Sequence, residues 1–259
     1  MSQHATISRH LNPALRHLPL ALIIITLQSC GANFDMKLKF AAAGINKTCP
    51  KMIDNQTRLD SVTVRPHKEM VYHYTLIKII KNRFDVDAFE GYMKPIMQNQ
   101  IRTNEGLKTY RDNKAVMTYD YKDKDGKPLV EMVFTSETYK EEAKPADYQL
   151  QLRCEASVVN CTAPNMLDEI TRLDSSRALP GKIFETDYTI ITMEKSKMNA
   201  EKFAENMRPS LLENIKENND LKRFREHKVI VNYNYYDKNG ELITNISITP
   251  NDYYPEPTN

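Results

Sequence analysis

Phe203, Met207, Leu211 and Ile215 recur every four residues, the apolar stripe of a helix that faces a core. Asn199 stands where it can cap that helix, with Glu201 in its first turn. Ahead of it Phe184, Tyr188 and Ile190 share one side of an alternating segment. Met70, Tyr72, Tyr74 and Leu76 do the same earlier in the chain, so both segments predict strands. Residues 115–122 and 129–135 flank Lys124-Asp125-Gly126-Lys127, and 229–236 and 242–249 flank Lys238-Asn239-Gly240-Glu241. Asp-Gly and Asn-Gly between alternating segments predict hairpins with type I′ turns. Pro95 and Pro209 lie inside helical stripes, where a kink or a break is expected.

These patterns come in pairs because the chain repeats itself. Thr57-Arg58-Leu59-Asp60-Ser61 recurs as Thr171-Arg172-Leu173-Asp174-Ser175, 114 residues on. Without a gap, 34 of the 104 positions in 36–139 are identical in 150–253, far above chance. A period this long means two domain-sized copies, not a solenoid of short units. The expected order in each copy is (β)-α-β-α-β-β, with short strands at 36–40 and 150–154 and short helices at 50–60 and 164–174. The fold class is α+β: an antiparallel sheet covered by helices on one face. Residues 140–149 form a polar linker, and the chain from Pro250, including the tail 254–259, reads as loose.

Of the 259 residues, 41% are hydrophobic and 27% charged, which suits a globular body. Lys and Arg exceed Asp and Glu by only two, so no nucleic-acid footprint stands out. Residues 1–29 hold Arg9 and Arg16, no acid, and an apolar run from Leu18 to Leu27. That run is shorter than the roughly 20 residues of a membrane span and reads as a signal peptide. The stretch Leu27-Gln28-Ser29-Cys30 resembles the lipobox of bacterial lipoproteins, with Leu27 at −3, Ser29 at −1 and Cys30 as the acylated cysteine. Gln28 departs from the small residue usual at −2. The resemblance implies export to the cell envelope, cleavage before Cys30, palmitate-type acylation of Cys30 and a tether over 30–35. Loss of Arg9 and Arg16 would leave the mature chain with no formal net charge. By the same resemblance, to enterobacterial lipoprotein sorting, Gly31 in place of Asp implies the outer membrane over the inner, with the body facing the periplasm or the surface. The alternative is an ordinary cleaved signal with Cys30 an incidental thiol.

Three cysteines remain. Cys154 and Cys161 could staple a short loop, Cys49 could pair with either, or all three could be buried thiols. His67, His73 and His227 have no histidine at the matching positions of the other copy, and no recurrent metal-ligand spacing joins them. No cofactor or metal is expected. Asp54, Arg58, Asp60 and Ser61 recur as Asp168, Arg172, Asp174 and Ser175. On a helix Asp54 and Arg58 would form an i,i+4 surface ion pair. Tyr72, Tyr74, Tyr119, Tyr121, Tyr233 and Tyr235 form aromatic stripes suited to a binding surface, or else the half-buried side of a sheet under a helix. The copy-shared segment ending in Thr-Arg-Leu-Asp-Ser also resembles repeats of uncharacterised bacterial exported proteins, which implies no activity.

The expected function is that of a non-catalytic binding or interaction module, anchored to the membrane at Cys30, with an envelope protein as partner and no nucleic acid. A periplasmic hydrolase with its site between the repeats and an inhibitor or immunity lipoprotein are the alternatives.

Overall fold

A computed structural model of the protein describes residues 34–254. The chain divides between Asp147 and Tyr148 into two compact units. The first runs α1 (Phe34–Asn46), β1 (Lys51–Met52), β2 (Thr57–Arg65), β3 (Glu69–Leu76), α2 (Val86–Thr103), α3 (Lys108–Asp112), β4 (Val116–Lys122), β5 (Pro128–Phe134) and α4 (Ser136–Lys140). The second runs α5 (Tyr148–Thr162), β6 (Asn165–Met166), β7 (Thr171–Leu179), β8 (Ile183–Ile190), α6 (Ala200–Glu217), α7 (Lys222–Glu226), β9 (Ile230–Asp237), β10 (Leu242–Ile248) and α8 (Pro250–Tyr253). Each element of the first unit begins 114 residues before its counterpart, so the duplication in sequence is a duplication in structure.

Both units are α+β, but the element order differs from (β)-α-β-α-β-β at the start. The segments expected as strands at 36–40 and 150–154 lie in the helices α1 and α5. Leu38, Ala41, Ala42 and Ile45 recur at helical spacing and are buried, and α1 packs on β2. The segments expected as helices at 50–60 and 164–174 hold the strands β1, β2, β6 and β7 instead. Thr57 and Leu59 point inward while Arg58 stays half exposed, so the period is two, not 3.6. Asp54 makes no pair with Arg58. Its Oδ1 accepts the N–H groups of Gln56 and Thr57, each at 2.7 Å, in a local turn that starts β2. Asp168 repeats the turn.

Each sheet has five strands, in the order β1-β2-β3-β4-β5 and β6-β7-β8-β9-β10. The expected antiparallel sheet is in fact mixed: β3 and β4, and likewise β8 and β9, are parallel. A helical crossover separates those strands, the connection that a parallel pair needs. The helices cover the face that carries the tyrosines. Tyr72 stacks on Tyr119 and Tyr74 on Tyr121, both at 5.2 Å, and Phe89 of α2 meets Tyr121 edge-on at 5.2 Å. In the second unit Tyr188 stacks on Tyr235 and Phe203 of α6 meets that ring. At the position of Val62 and Tyr72 the second copy has Ser176 and Thr186, buried and hydrogen bonded at 3.1 Å. Asn46 pairs its amide with both the N–H and the C=O of Val62, and Asn160 does so with Ser176. Each amide thereby satisfies part of a strand edge.

Pro95 and Pro209 sit inside helices that run unbroken across them. Asn199 caps α6 as expected, accepting the N–H of Lys202. The chain from Pro250 is not loose at its start: Pro250–Tyr253 is helical, and the Tyr253 hydroxyl donates to the carbonyl of Val229.

The hairpin turns differ from type I′. Only Gly126 (φ 79°) and Gly240 (φ 84°) have positive φ in them, which fits a type I turn followed by a left-handed residue. Asp123 organises the first turn, accepting the N–H groups of Asp125 and Lys127 at Oδ1 and of Lys81 at Oδ2. Asp237 repeats this with Asn239, Glu241 and Lys195, and these bonds hold its carboxyl below the usual carboxylate range. A Cβ at Gly240 would meet nothing within 4 Å, so a substitution there reports backbone strain alone. Gly240→Val is expected to destabilise the fold by about 1 kcal/mol or more. Thermal melts of the two chains check this; an unchanged melting temperature would contradict it.

Candidate functional site

Cys30 lies outside the described residues. The tyrosine stripes do not form a binding surface. Tyr72, Tyr74, Tyr119, Tyr121, Tyr233 and Tyr235 are all buried, none above 7% exposed. The alternation placed them together, but on the face that the helices cover. Burial raises their hydroxyl pKa values, and the Tyr119 and Tyr235 hydroxyls have no hydrogen-bond partner among the described residues. The Cys154–Cys161 staple is likewise absent. Both thiols sit on α5, seven residues apart. Two helical turns separate their backbones by about 10 Å, beyond the reach of a disulfide.

The polar chemistry of each sheet lies on the face opposite the stacked tyrosines. In the first unit Arg58 donates Nε to Asp60 Oδ1 at 2.5 Å, and Thr75 donates its hydroxyl to Asp60 Oδ2 at 2.6 Å. The second unit repeats this: Arg172 donates to Asp174, and Thr189 donates to Asp174 Oδ2 at 2.5 Å. The Asp carboxylate is thus occupied at both oxygens and fixes the arginine through Nε. The terminal nitrogens of Arg58 make no hydrogen bond among the described residues. Met52 pairs directly across from Arg58, and Met166 from Arg172, so each methionine shares its arginine's face. Met52 is 45% and Met166 46% exposed. A methionine beside a clamped arginine therefore recurs on the shortest, outermost strand of both sheets.

A second group on this face follows from strand pairing. His73 and Asp120 are register partners on β3 and β4. His73 Nδ1 lies 2.9 Å from Asp120 Oδ2, and Nε2 lies 2.9 Å from the Thr63 hydroxyl. Hydroxyl, imidazole and carboxylate stand in the order used for nucleophile activation. The matching positions hold Arg177, Asp187 and Asn234. There Arg177 donates to Asp187 Oδ2 at 2.5 Å and Asn234 donates to Oδ1 at 2.9 Å. The two copies share a polar tie across three strands at this place, not its chemistry. Sequence reading missed the pair because 47 residues separate its members. The signal available was the parallel register: once Tyr72 lies beside Tyr119, His73 lies beside Asp120.

Among the described residues no group of three or more His, Cys, Asp or Glu side chains is placed to hold a metal ion, and no helix is long and apolar enough to cross a membrane. A search of curated proteins finds no match. Among solved structures, a Pseudomonas aeruginosa protein provisionally described as secreted matches at 15% identity, over 42% of this chain and 99% of its own, with a TM-score of 0.34. The family model described as "Domain of unknown function (DUF8479)" matches residues 34–130 and again residues 148–244, one copy in each unit. With both matches together spanning most of its length, the chain belongs to the DUF8479 family and carries its domain twice.

Proposed function

We propose that the protein is an exported lipoprotein, anchored through acylated Cys30 and favouring the outer membrane, whose two repeats act as non-catalytic binding modules for an envelope protein. The observation that carries the binding reading is the recurrence of one cluster, an exposed methionine beside a half-buried arginine and aspartate with a buried threonine behind them. Met52, Arg58, Asp60 and Thr75 return as Met166, Arg172, Asp174 and Thr189, whereas the row through Thr63, His73 and Asp120 changes chemistry between copies. Methionine and arginine are the side chains that protein interfaces favour, the first for adaptable apolar contact and the second for directed hydrogen bonds. The anchor rests on the sequence pattern at Leu27, Ser29 and Cys30. The test is co-purification of envelope proteins with the acylated chain. Arg58→Ala together with Arg172→Ala is expected to lower the recovered partner about tenfold, the loss of an arginine anchor at an interface, with little change in melting temperature. Undiminished recovery would contradict the reading.

A hydrolase is the second reading, favoured by the Thr63–His73–Asp120 geometry and placed within the first repeat. It requires esterase or peptidase activity that Thr63→Ala and His73→Ala each abolish. An active wild-type chain that loses its activity in both variants would displace the binding reading.

A further inference from the structure

The helices α1 and α5 use one face alike and differ on the other. In α1, Phe34, Leu38, Ala41, Ala42 and Ile45 are buried. Met36, Phe40 and Ala43 follow one another at helical spacing on the exposed side, and the exposed Lys47 comes just after the last turn. Phe40 is 71% exposed and Met36 52%, and the exposed Lys39 lies beside them. The positions matching Met36, Phe40, Ala43 and Lys47 in the second copy are Leu150, Cys154, Ser157 and Cys161. There Leu150 is half-buried and the other three are buried. Met36 thus has an apolar counterpart, but one that stands less open. Phe40 has none: a buried cysteine takes its place. The fully outward phenylalanine therefore belongs to one copy and serves no packing need common to the fold.

That copy is the one next to Cys30. Only Gly31, Ala32 and Asn33 separate Cys30 from Phe34, a reach of at most about 14 Å for an extended chain. Lys37, Lys39 and Lys47 outnumber Asp35 along the helix and just past it, so the segment is basic although the mature chain has no formal net charge. Exposed apolar residues flanked by lysines on one side of a helix suit the interface of an anionic bilayer. There the apolar groups enter below the headgroups and the ammonium groups meet the phosphates. We propose that the exposed face of α1 lies on the anionic phospholipid surface to which Cys30 is anchored, with Phe40 and Met36 inserted, and thereby sets the orientation of the first repeat on the membrane. The inference rests on the lipoprotein reading. Acylation would hold the helix at the surface, where even a weak contact is made intramolecularly and persists. The same geometry accounts for the difference between copies, since α5 follows no anchor.

The chain has no tryptophan, so a single introduced indole reports its own surroundings. The full chain carrying Phe40→Trp, and separately the exposed Tyr254→Trp, is expressed with its signal intact and purified from membranes. Each is reconstituted into vesicles of phosphatidylethanolamine and phosphatidylglycerol, with and without brominated acyl chains. Mass spectrometry first records whether Cys30 carries lipid. The expected result is lipid on Cys30, a blue-shifted emission from position 40 and at least twofold quenching there by brominated lipid, with position 254 unchanged. Lipid on Cys30 with no quenching at position 40, or equal quenching at both positions, overturns the docked helix and leaves the anchor standing. A chain without lipid overturns the anchor reading. In that case quenching at position 40 on adding anionic vesicles still supports the helix face, and its absence overturns that as well. Met36→Ser in the Phe40→Trp background keeps the buried side of α1 intact and is expected to at least halve the quenching.

Discussion

Cys30→Ala is expected to move the protein from the membrane fraction to the soluble envelope fraction, or to stall it as an uncleaved precursor, and to abolish incorporation of labelled palmitate. The effect should be close to all or none. Several acyl chains hold a protein far more firmly than one, at about 0.8 kcal/mol for each buried CH₂, and no helix among the described residues can span a bilayer in their place. Fractionation with palmitate labelling checks this. Unchanged membrane retention and labelling in the variant would refute the anchor.

The second large effect is on stability. Glu155 lies on α5, 3% exposed, and the matching residue of the first copy is Ala41. Its Oε1 accepts a hydrogen bond from Gln151 at 2.7 Å, while Oε2 has no partner among the described residues. Burial raises its pKa from 4.5 to about 7, against the opposing pull of the Gln151 hydrogen bond and the charge of Arg223. Below pH 4.5 the carboxyl is protonated in the folded and the unfolded chain alike, and its stability contribution is fully present. As the pH rises from 4.5 through 7 the unfolded chain releases a proton that the folded chain retains, so that contribution is lost, about 3 kcal/mol by pH 8. Glu155→Gln removes the titration. Urea unfolding of both chains from pH 4.5 to 8 should show the wild type losing about that much relative to the variant. Parallel pH profiles would contradict a buried, neutral Glu155.

The features legible in the sequence were those with long or paired patterns. The duplication, the α2 and α6 stripes and the hairpins around Gly126 and Gly240 each rest on many positions or on a turn chemistry with few solutions. Residues 50–60 read as a helix because the strand that begins there is mostly polar: only Leu59, Val62 and Val64 of Thr57–Arg65 are apolar, and so short an alternation competes poorly with an i,i+4 charge pair. Alternation also reveals which tyrosines share a face without revealing which face is covered. That choice is made by Phe89 and Phe203, whose rings need an apolar partner on the sheet. The parallel pairing of β3 with β4 was implicit in the long helical crossover between them, and with it the meeting of His73 with Asp120. The clamped arginines were visible as a repeated motif, but their exposure beside Met52 and Met166 depends on pairing with β1 and β6, strands of two residues that no periodicity can announce.

Site-specific photocrosslinking in growing cells tests the binding role most directly. A photoreactive amino acid is placed at Met52, at Met166 or at the exposed Lys94 of α2. The account predicts a discrete adduct with the same envelope protein from positions 52 and 166, lost with Arg58→Ala and Arg172→Ala, and none from position 94. Adducts that are absent from positions 52 and 166, or that form equally from position 94, would contradict it.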